Sequence, residues 1–286
     1  MFYIRLQERV DVPQTAPDRH KIRRRAVTSI VASEVVRDVA EKLEPLGIEV
    51  MPVKGALLQH WLYDDPADRA MSDVDVLVRP HQARTAHGVL ERAGYRPMSR
   101  TSAGAFVMRS PLGLALDLHP QLFDRARYNL STADVFSRSS PDRALFGALV
   151  RLPSPLDAYA HLIGKFGSDH LHAGSTRRLD EIARMPRRIE APPGLVARHL
   201  IRCGMRRVAR YVLPLVSETT GDAFAAQVLR HLPPDPIGET LAAIARPVLA
   251  NTGPHSRIGA VTAHMLNDSL PRGVRSGVRA LVVRPR

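Results

Sequence analysis

Two aspartates one residue apart, in the segment SDVDVLV, are the first candidates for chemistry in this sequence. Asp73, Asp75 and Leu77 alternate with three valines. This is the period of a β-strand, so the two carboxylates project from one face, about 7 Å apart along the backbone. Like charges in this position repel each other unless a cation lies between them, and carboxylate oxygens are ligands that Mg²⁺ prefers. The spacing therefore predicts a metal site on the open face of a half-buried strand.

A third acid follows the same pattern further along the chain. In the segment LALDLH, Asp117 and His119 alternate with leucines, which predicts a second strand with an apolar face and an acidic face. A third carboxylate on a neighbouring strand completes a ligand set for two divalent ions about 3.5–4 Å apart. We interpret His119 as a residue that packs or orients a neighbour.

Cationic and flexible residues precede these acids. Lys54 and Gly55 stand where a predicted strand turns into a helix, and the free N–H groups and dipole of a helix N-terminus favour an anion. Gly55 has no side chain, so a phosphate can approach the backbone closely. Arg69 lies four residues before Asp73, and a guanidinium can bind phosphate through two parallel hydrogen bonds. These residues predict phosphate binding beside the acids.

The order of these motifs resembles that of the bacterial family of uncharacterised nucleotidyltransferases, which belongs to the DNA polymerase beta superfamily. The resemblance is carried by VKGALLQHWLYDDPADRAMSDVDVLV, ERAGYRP and LALDLHPQL, over about residues 48–122. The family motifs correspond here to Lys54-Gly55, Tyr63 to Pro66, Arg69, Asp73 with Asp75, and Asp117 to His119.

The resemblance implies that Asp73, Asp75 and Asp117 hold two Mg²⁺ ions, with Mn²⁺ as a substitute. It also implies transfer of a nucleoside monophosphate from an NTP to an acceptor hydroxyl, with release of pyrophosphate. One ion would activate the hydroxyl and the other would neutralise the triphosphate, with Asp117 as the candidate general base. Lys165, one of four lysines in the chain, is predicted to reach the triphosphate from the opposite side of a cleft.

The elements that must position these residues predict an α+β fold. Apolar residues at steps of three and four predict a helix over 26–46. Short strands and helices follow it as far as LALDLH. From about Pro155 onward the segments have helical spacing. We therefore expect a small mixed nucleotidyltransferase-type sheet with flanking helices, followed by a helical C-terminal half. The expected boundaries are a basic N-terminal arm over 1–25, a catalytic domain over 26–150 and a helical domain over 151–286.

Composition indicates which partners and which cellular location suit the protein. The formal net charge is +13, which attracts polyanions and makes nucleic acid a candidate partner. Cys203 is the single cysteine, so an internal disulfide is excluded and a reducing compartment is expected. The N-terminus lacks a signal-peptide pattern, and no window approaches the ~18 apolar residues of a membrane span. We expect a cytoplasmic protein.

The histidines 161, 170 and 172 form a weak zinc candidate, because no thiolate or carboxylate frame accompanies them.

Two other functions are compatible with the residues. A metal-dependent glycosyltransferase also uses an Asp-x-Asp pair to bind a nucleotide-sugar, but it would require a larger nucleotide-binding sheet before the motif. A non-catalytic RNA-binding or regulatory module on the same fold is the second alternative. The sequence leaves open which NTP is used and whether the acceptor is a protein side chain, an RNA end or a small hydroxylated molecule.

Overall fold

Five strands form one mixed sheet in the computed structural model of the chain, which describes residues 19–101, 104–123, 127–169, 176–240, 243 and 264–269. The strands are β1 (Met51–Val53), β2 (Asp73–Leu77), β3 (Arg96–Arg100), β4 (Phe106–Arg109) and β5 (Ala115–His119). Their spatial order is β1-β2-β5-β4-β3. Strands β2 and β5 run parallel, and the other neighbours are antiparallel. The predicted small mixed sheet is confirmed.

Helices flank this sheet and make up most of the later half. In the described part of the chain they are α1 (Arg19–Leu43), α2 (Lys54–Leu62), α3 (Ala83–Arg92), α4 (Thr132–Ser137), α5 (Pro155–Asp169), α6 (Thr176–Arg184), α7 (Pro193–Arg202), α8 (Arg206–Thr220) and α9 (Ala223–Arg230). Short 3-10 turns follow α1 (Glu44–Leu46), precede β2 (Pro66–Asp68) and follow α6 (Met185–Arg188). None of the helices in these ranges is long and apolar enough to cross a membrane.

The apolar face of the sheet packs against α1 and α3. Val74, Val76, Leu116 and Leu118 are fully buried in this core, and burying each such side chain stabilises the fold by about 1.5–3 kcal/mol. Because side chains alternate along a strand, the acids between these residues lie on the opposite face of the sheet. The apolar core thus fixes the face from which the acids project.

A second core joins the helical half to the sheet. Met51, Leu58 and Leu77 belong to the same buried cluster as the side chains of α5 to α9. Residues of β1, α2 and β2 therefore pack directly on the helical half. The two cores do not divide the chain at residue 150, so the expected boundary between a catalytic and a helical domain remains a prediction about folding units.

Two features differ from the sequence-based expectations. Helix α1 begins at Arg19, so the last residues of the predicted arm are helical, because HKIRRR contains no helix-breaking residue. Residues 1–18 of that arm lie outside the described residues. A two-stranded ladder of β6 (Ser140–Asp142) and β7 (Val150–Leu152) was not predicted. Strands of this length, one of them containing a proline, carry too little periodicity to be recognised.

Candidate active site

Parallel pairing of β2 and β5 brings two of the predicted acids side by side. Asp75 is directly opposite Asp117 in the register of the two strands, and directly paired residues project from the same face of a sheet. His119 follows on that face. Ligand atoms of Asp75, Asp117 and His119 all lie within 4.8 Å of one another. These three residues form what we call the acidic cluster.

Asp73 lies at the edge of the acidic cluster. It precedes Asp75 by two residues on the same strand, faces the same side and is paired with Ala115. Its Oδ1 accepts a hydrogen bond from the hydroxyl of Ser72 at 2.9 Å. The charge of Asp73 is also among the causes that raise the pKa of Asp117. Asp73 therefore acts electrostatically on the cluster, and its role as a metal ligand stays a prediction.

Asp75 is the buried centre of the cluster, with 5% of its surface exposed. Its Oδ1 accepts a hydrogen bond from His119 Nε2 at 2.7 Å and one from the ammonium group of Lys54. Burial alone raises the pKa of Asp75, but the hydrogen bond from His119 and the charge of Lys54 outweigh burial and hold this pKa well below its usual range. The Asp75 side chain is therefore a carboxylate at neutral pH. His119 orients this carboxylate, in agreement with its predicted role.

Asp117 has the opposite electrostatic environment. Burial raises the pKa of Asp117, and the negative charge of Asp75 raises it further, against a smaller lowering by His119. A pair of neighbouring carboxyl groups whose pKa values are shifted in opposite directions is typical of sites in which the two groups have different roles. The group with the raised pKa is the better proton acceptor, which suits Asp117 as a candidate general base.

Lys54 occupies a strained backbone position between strand β1 and helix α2. Its φ angle is 47°, in the left-handed region that costs a residue with a side chain about 1–2 kcal/mol. Lys54 is the first residue of α2, and its ammonium group is bonded to Asp75. Such strain is often found at functional sites. The turn predicted to bind an anion thus also supplies a cation to the acidic cluster.

Arg69 lies against the same turn. Its residue surface is 8% exposed, and its Nε donates a hydrogen bond to Oε1 of Glu181 at 2.9 Å. A methyl group at Gly55 would lie 2.5 Å from Arg69 Nη1, closer than atoms can approach. Glycine at position 55 therefore gives room to the guanidinium of Arg69. The sequence indicated the need for a small residue here, but not the neighbour that requires it.

A cavity of about 300 Å³ opens beside these residues. It is lined by β2, the turn at Lys54, the segment 69–72, and helices α5 and α6, and its charged lining residues are Lys54, Arg69, Asp73, Asp75, Lys165, Arg177, Arg178 and Glu181. Lys165 faces the cavity from α5, so the structure brings it together with Lys54 and Arg69. Five lysine and arginine side chains line the cavity together with carboxylates on β2 and α6, an arrangement suited to a polyanion bound with cations.

Three lining residues on α6 were not identified as site residues from the sequence. Arg177, Arg178 and Glu181 belong to a segment that reads as an ordinary amphipathic helix. Arg177 Nη1 donates to the carbonyl oxygen of Ala70 at 3.0 Å. This contact joins residues 107 positions apart, so the spacing of residues within α6 cannot indicate it.

His161 lies one helical turn before Lys165 and is buried. Its ring packs edge-on against Phe123, and its Nε2 has no hydrogen-bond partner among the described residues. Burial, and then the positive charge of Lys54, lower the pKa of His161 well below its usual value. The imidazole is therefore neutral. The other histidines of the predicted zinc candidate, 170 and 172, lie outside the described residues.

Sequence similarity to a known family extends over most of the chain. The sequence profile of a family described as "uncharacterised nucleotidyltransferase" matches residues 8–221. No curated protein matches the chain. Among solved structures, an antigenic nucleotidyltransferase-like protein from Paracoccidioides brasiliensis is similar, with 19% identity and a TM-score of 0.38, over 54% of this chain and 74% of that chain. The antibiotic-resistance factor ANT(2'')-Ia is similar with 14% identity and a TM-score of 0.38, over 71% of this chain and 91% of that chain.

Proposed function

The chain belongs to the family of uncharacterised nucleotidyltransferases, and we propose that it transfers a nucleoside monophosphate from an NTP to an acceptor hydroxyl and releases pyrophosphate. The observation that carries this proposal is the pairing of Asp75 with Asp117 across two parallel strands, with Asp75 on the wall of a cavity that five lysine and arginine side chains also line. Nucleotidyl transfer requires both the acidic and the cationic side chains, because charge develops at the acceptor oxygen and at the departing pyrophosphate.

The residues present fit a divalent metal ion. Carboxylates are hard oxygen ligands that suit Mg²⁺ or Mn²⁺, and Asp75 already binds one cationic group, the ammonium of Lys54. Asp73, Asp75 and Asp117 would hold the metal, for which we propose two Mg²⁺ ions. When bound, the metal would neutralise phosphate charge and lower the pKa of the acceptor hydroxyl.

The protein side chains then have distinct roles. Asp117 accepts the proton of the attacking hydroxyl, because its pKa is raised by burial and by Asp75. Asp75 remains ionised and is held in orientation by His119. Arg69 and Lys165 bind the triphosphate from two sides of the cavity. Lys54, which is bonded to Asp75 and lines the cavity at the N-terminus of α2, would add a cation and a helix N-terminus beside the phosphates.

The setting of the reaction follows from charge and composition. A chain with a net charge of +13 suits an anionic acceptor such as an RNA end, although a protein or a small molecule with a free hydroxyl has the same reacting group. The single cysteine, which is buried and unpaired, supports a cytoplasmic location. In this arrangement, residues 26–150 provide the acids and residues 151–286 provide Lys165.

Radioactive transfer tests the proposal directly. Purified protein is incubated with each α-labelled NTP, Mg²⁺ and a cell extract, and the labelled acceptor fraction is identified. We expect Mg²⁺-dependent transfer of label with one NTP preferred, and loss of most transfer in Asp117→Asn while the fold is kept. Absence of transfer from all four NTPs, or full transfer by Asp117→Asn, would contradict the proposal. Transfer of labelled sugar from a supplied nucleotide-sugar to an acceptor in the same extract, with release of a nucleoside diphosphate and no transfer of label from the NTPs, would indicate the glycosyltransferase alternative.

A further inference from the structure

Arg69 is a buried cation with part of its hydrogen-bonding capacity unused. Its Nε is bonded to Glu181, whereas Nη1 and Nη2 have no hydrogen-bond partner among the described residues. Arg69 lines the 300 Å³ cavity, and only 10% of its side chain is exposed. Neither terminal nitrogen is among the fully buried atoms without a partner, and hydrogen bonds from a guanidinium to an anion are among the strong ones in proteins. The two terminal nitrogens therefore remain to receive an anion in the cavity.

Glu181 determines how this guanidinium is oriented. It is buried, with 3% exposure, and its Oε1 accepts hydrogen bonds from Arg69 Nε and from the hydroxyl of Tyr63 at 3.2 Å. Gly55 lies under the Nη1 end of the same guanidinium. The Arg69 side chain is thus held at one edge by Glu181, while Gly55 leaves room for its Nη1 end. An arginine fixed in this way loses less conformational freedom when it binds a phosphate.

We propose that Glu181 is a positioning residue for triphosphate binding: it holds Arg69 by Nε, so that Nη1 and Nη2 form a preorganised fork for a phosphate group in the cavity. This inference rests on the proposed function for the identity of the anion. Glu181 lies on α6 and Arg69 precedes β2, so this residue of the later helical half contributes to the anion site through Arg69 and without touching the anion. Glu181 itself repels a phosphate electrostatically, and its effect must therefore come from orientation.

Two substitutions of Glu181 separate orientation from charge. Glu181→Gln keeps an oxygen that accepts from Arg69 Nε, whereas Glu181→Met has a similar length and no such acceptor. Both remove the negative charge, so a purely electrostatic role predicts tighter triphosphate binding in both. Orientation predicts that Glu181→Gln binds at least as tightly as the wild type, and that Glu181→Met binds about three- to tenfold more weakly.

The experiment measures the affinity of inorganic triphosphate by calorimetry in Mg²⁺ buffer, alongside KM and kcat with NTP. If Glu181 acts through Arg69, the double variant R69M/E181M binds triphosphate as weakly as R69M alone, within about twofold, because coupled residues are not additive. The double variant also removes both partners of the buried ion pair, which proteins tolerate better than the loss of one. We expect KM to follow the triphosphate affinity. Asp180→Ala, which breaks an exposed ion pair on the same helix, is the matched control and should leave the affinity unchanged.

Equal triphosphate affinity in Glu181→Met and the wild type would overturn the inference, and so would a further loss of affinity when E181M is added to R69M. A wild-type protein that transfers nucleotide but does not bind inorganic triphosphate would refute the inference alone. A protein that binds triphosphate through Arg69 and Glu181 but transfers no nucleotide would refute the proposed function and leave the anion site standing.

Discussion

Substitution of the two paired acids should change the stability of the metal-free protein in opposite directions. Asp75 and Asp117 have oxygens within 4.8 Å of each other, and two unit charges at this distance repel by about 3 kcal/mol at an effective dielectric constant of ~20. Lys54 and His119 also attract Asp117, and solvent screens a half-buried group. We therefore expect Asp117→Asn to stabilise the protein by about 1 kcal/mol.

The same substitution at Asp75 removes the charge to which Lys54 and His119 are bonded. Hydrogen bonds to charged groups contribute about 1.5–3 kcal/mol each, and the asparagine oxygen keeps part of this contribution. We expect Asp75→Asn to destabilise the protein by about 2 kcal/mol. For a chain of this size a change of 1 kcal/mol shifts Tm by about 2–4 °C. The two variants should therefore differ in Tm by roughly 6–12 °C, although both lose nucleotidyl transfer.

Thermal unfolding followed by circular dichroism in low salt with EDTA measures this difference. Asp180→Asn serves as the control, since Asp180 lies on the exposed side of α6 and such substitutions stay within about 0.5 kcal/mol. Added salt should reduce the gain of Asp117→Asn, because it screens the repulsion that the substitution relieves. An Asp117→Asn protein less stable than the wild type, or an Asp75→Asn protein of wild-type stability, would refute the electrostatic reasoning.

Three further outcomes are expected. Lys165→Ala should raise KM for NTP about tenfold, because it removes a cation that faces the cavity. The control Lys42→Ala, which removes an ion pair with Asp38 on the surface of α1, should leave the kinetics unchanged. Equal kinetics in the two variants would show that Lys165 is only surface charge. Gly55→Ala should raise KM for NTP with little change in Tm, because the new methyl group would lie 2.5 Å from Arg69 Nη1 and must displace that side chain. A KM equal to that of the wild type would show that the methyl group does not disturb Arg69. The Cys203 thiol should resist Ellman's reagent at pH 8 in the folded protein, since burial raises its pKa to about 12, and rapid labelling before unfolding would contradict its burial.

The alternation of acidic and apolar residues was enough to predict which face of each strand carries the acids. Alternation along one strand is a local property, so the face of Asp73 and Asp75 and that of Asp117 were readable from the valines and leucines between them. The strand-to-helix turn at Lys54 could be predicted as well, because it lies between a predicted strand and a predicted helix that are adjacent in the sequence. Helical spacing after Pro155 likewise predicted α5, α8 and α9. The family resemblance, based on the order of these motifs, agrees with the profile match over residues 8–221.

Tertiary structure decided which of these groups meet. The register that places Asp75 opposite Asp117 joins strands that are not consecutive in the chain, and no local periodicity specifies such a register. Arg69 meets Glu181 across 112 residues of sequence, and Lys54 is bonded to Asp75 because β1 pairs with β2. These contacts depend on the packing of two cores, to both of which α2 and β2 contribute side chains. Packing is a property of the whole chain, so a list of motifs could name the charges of the site but not their partners.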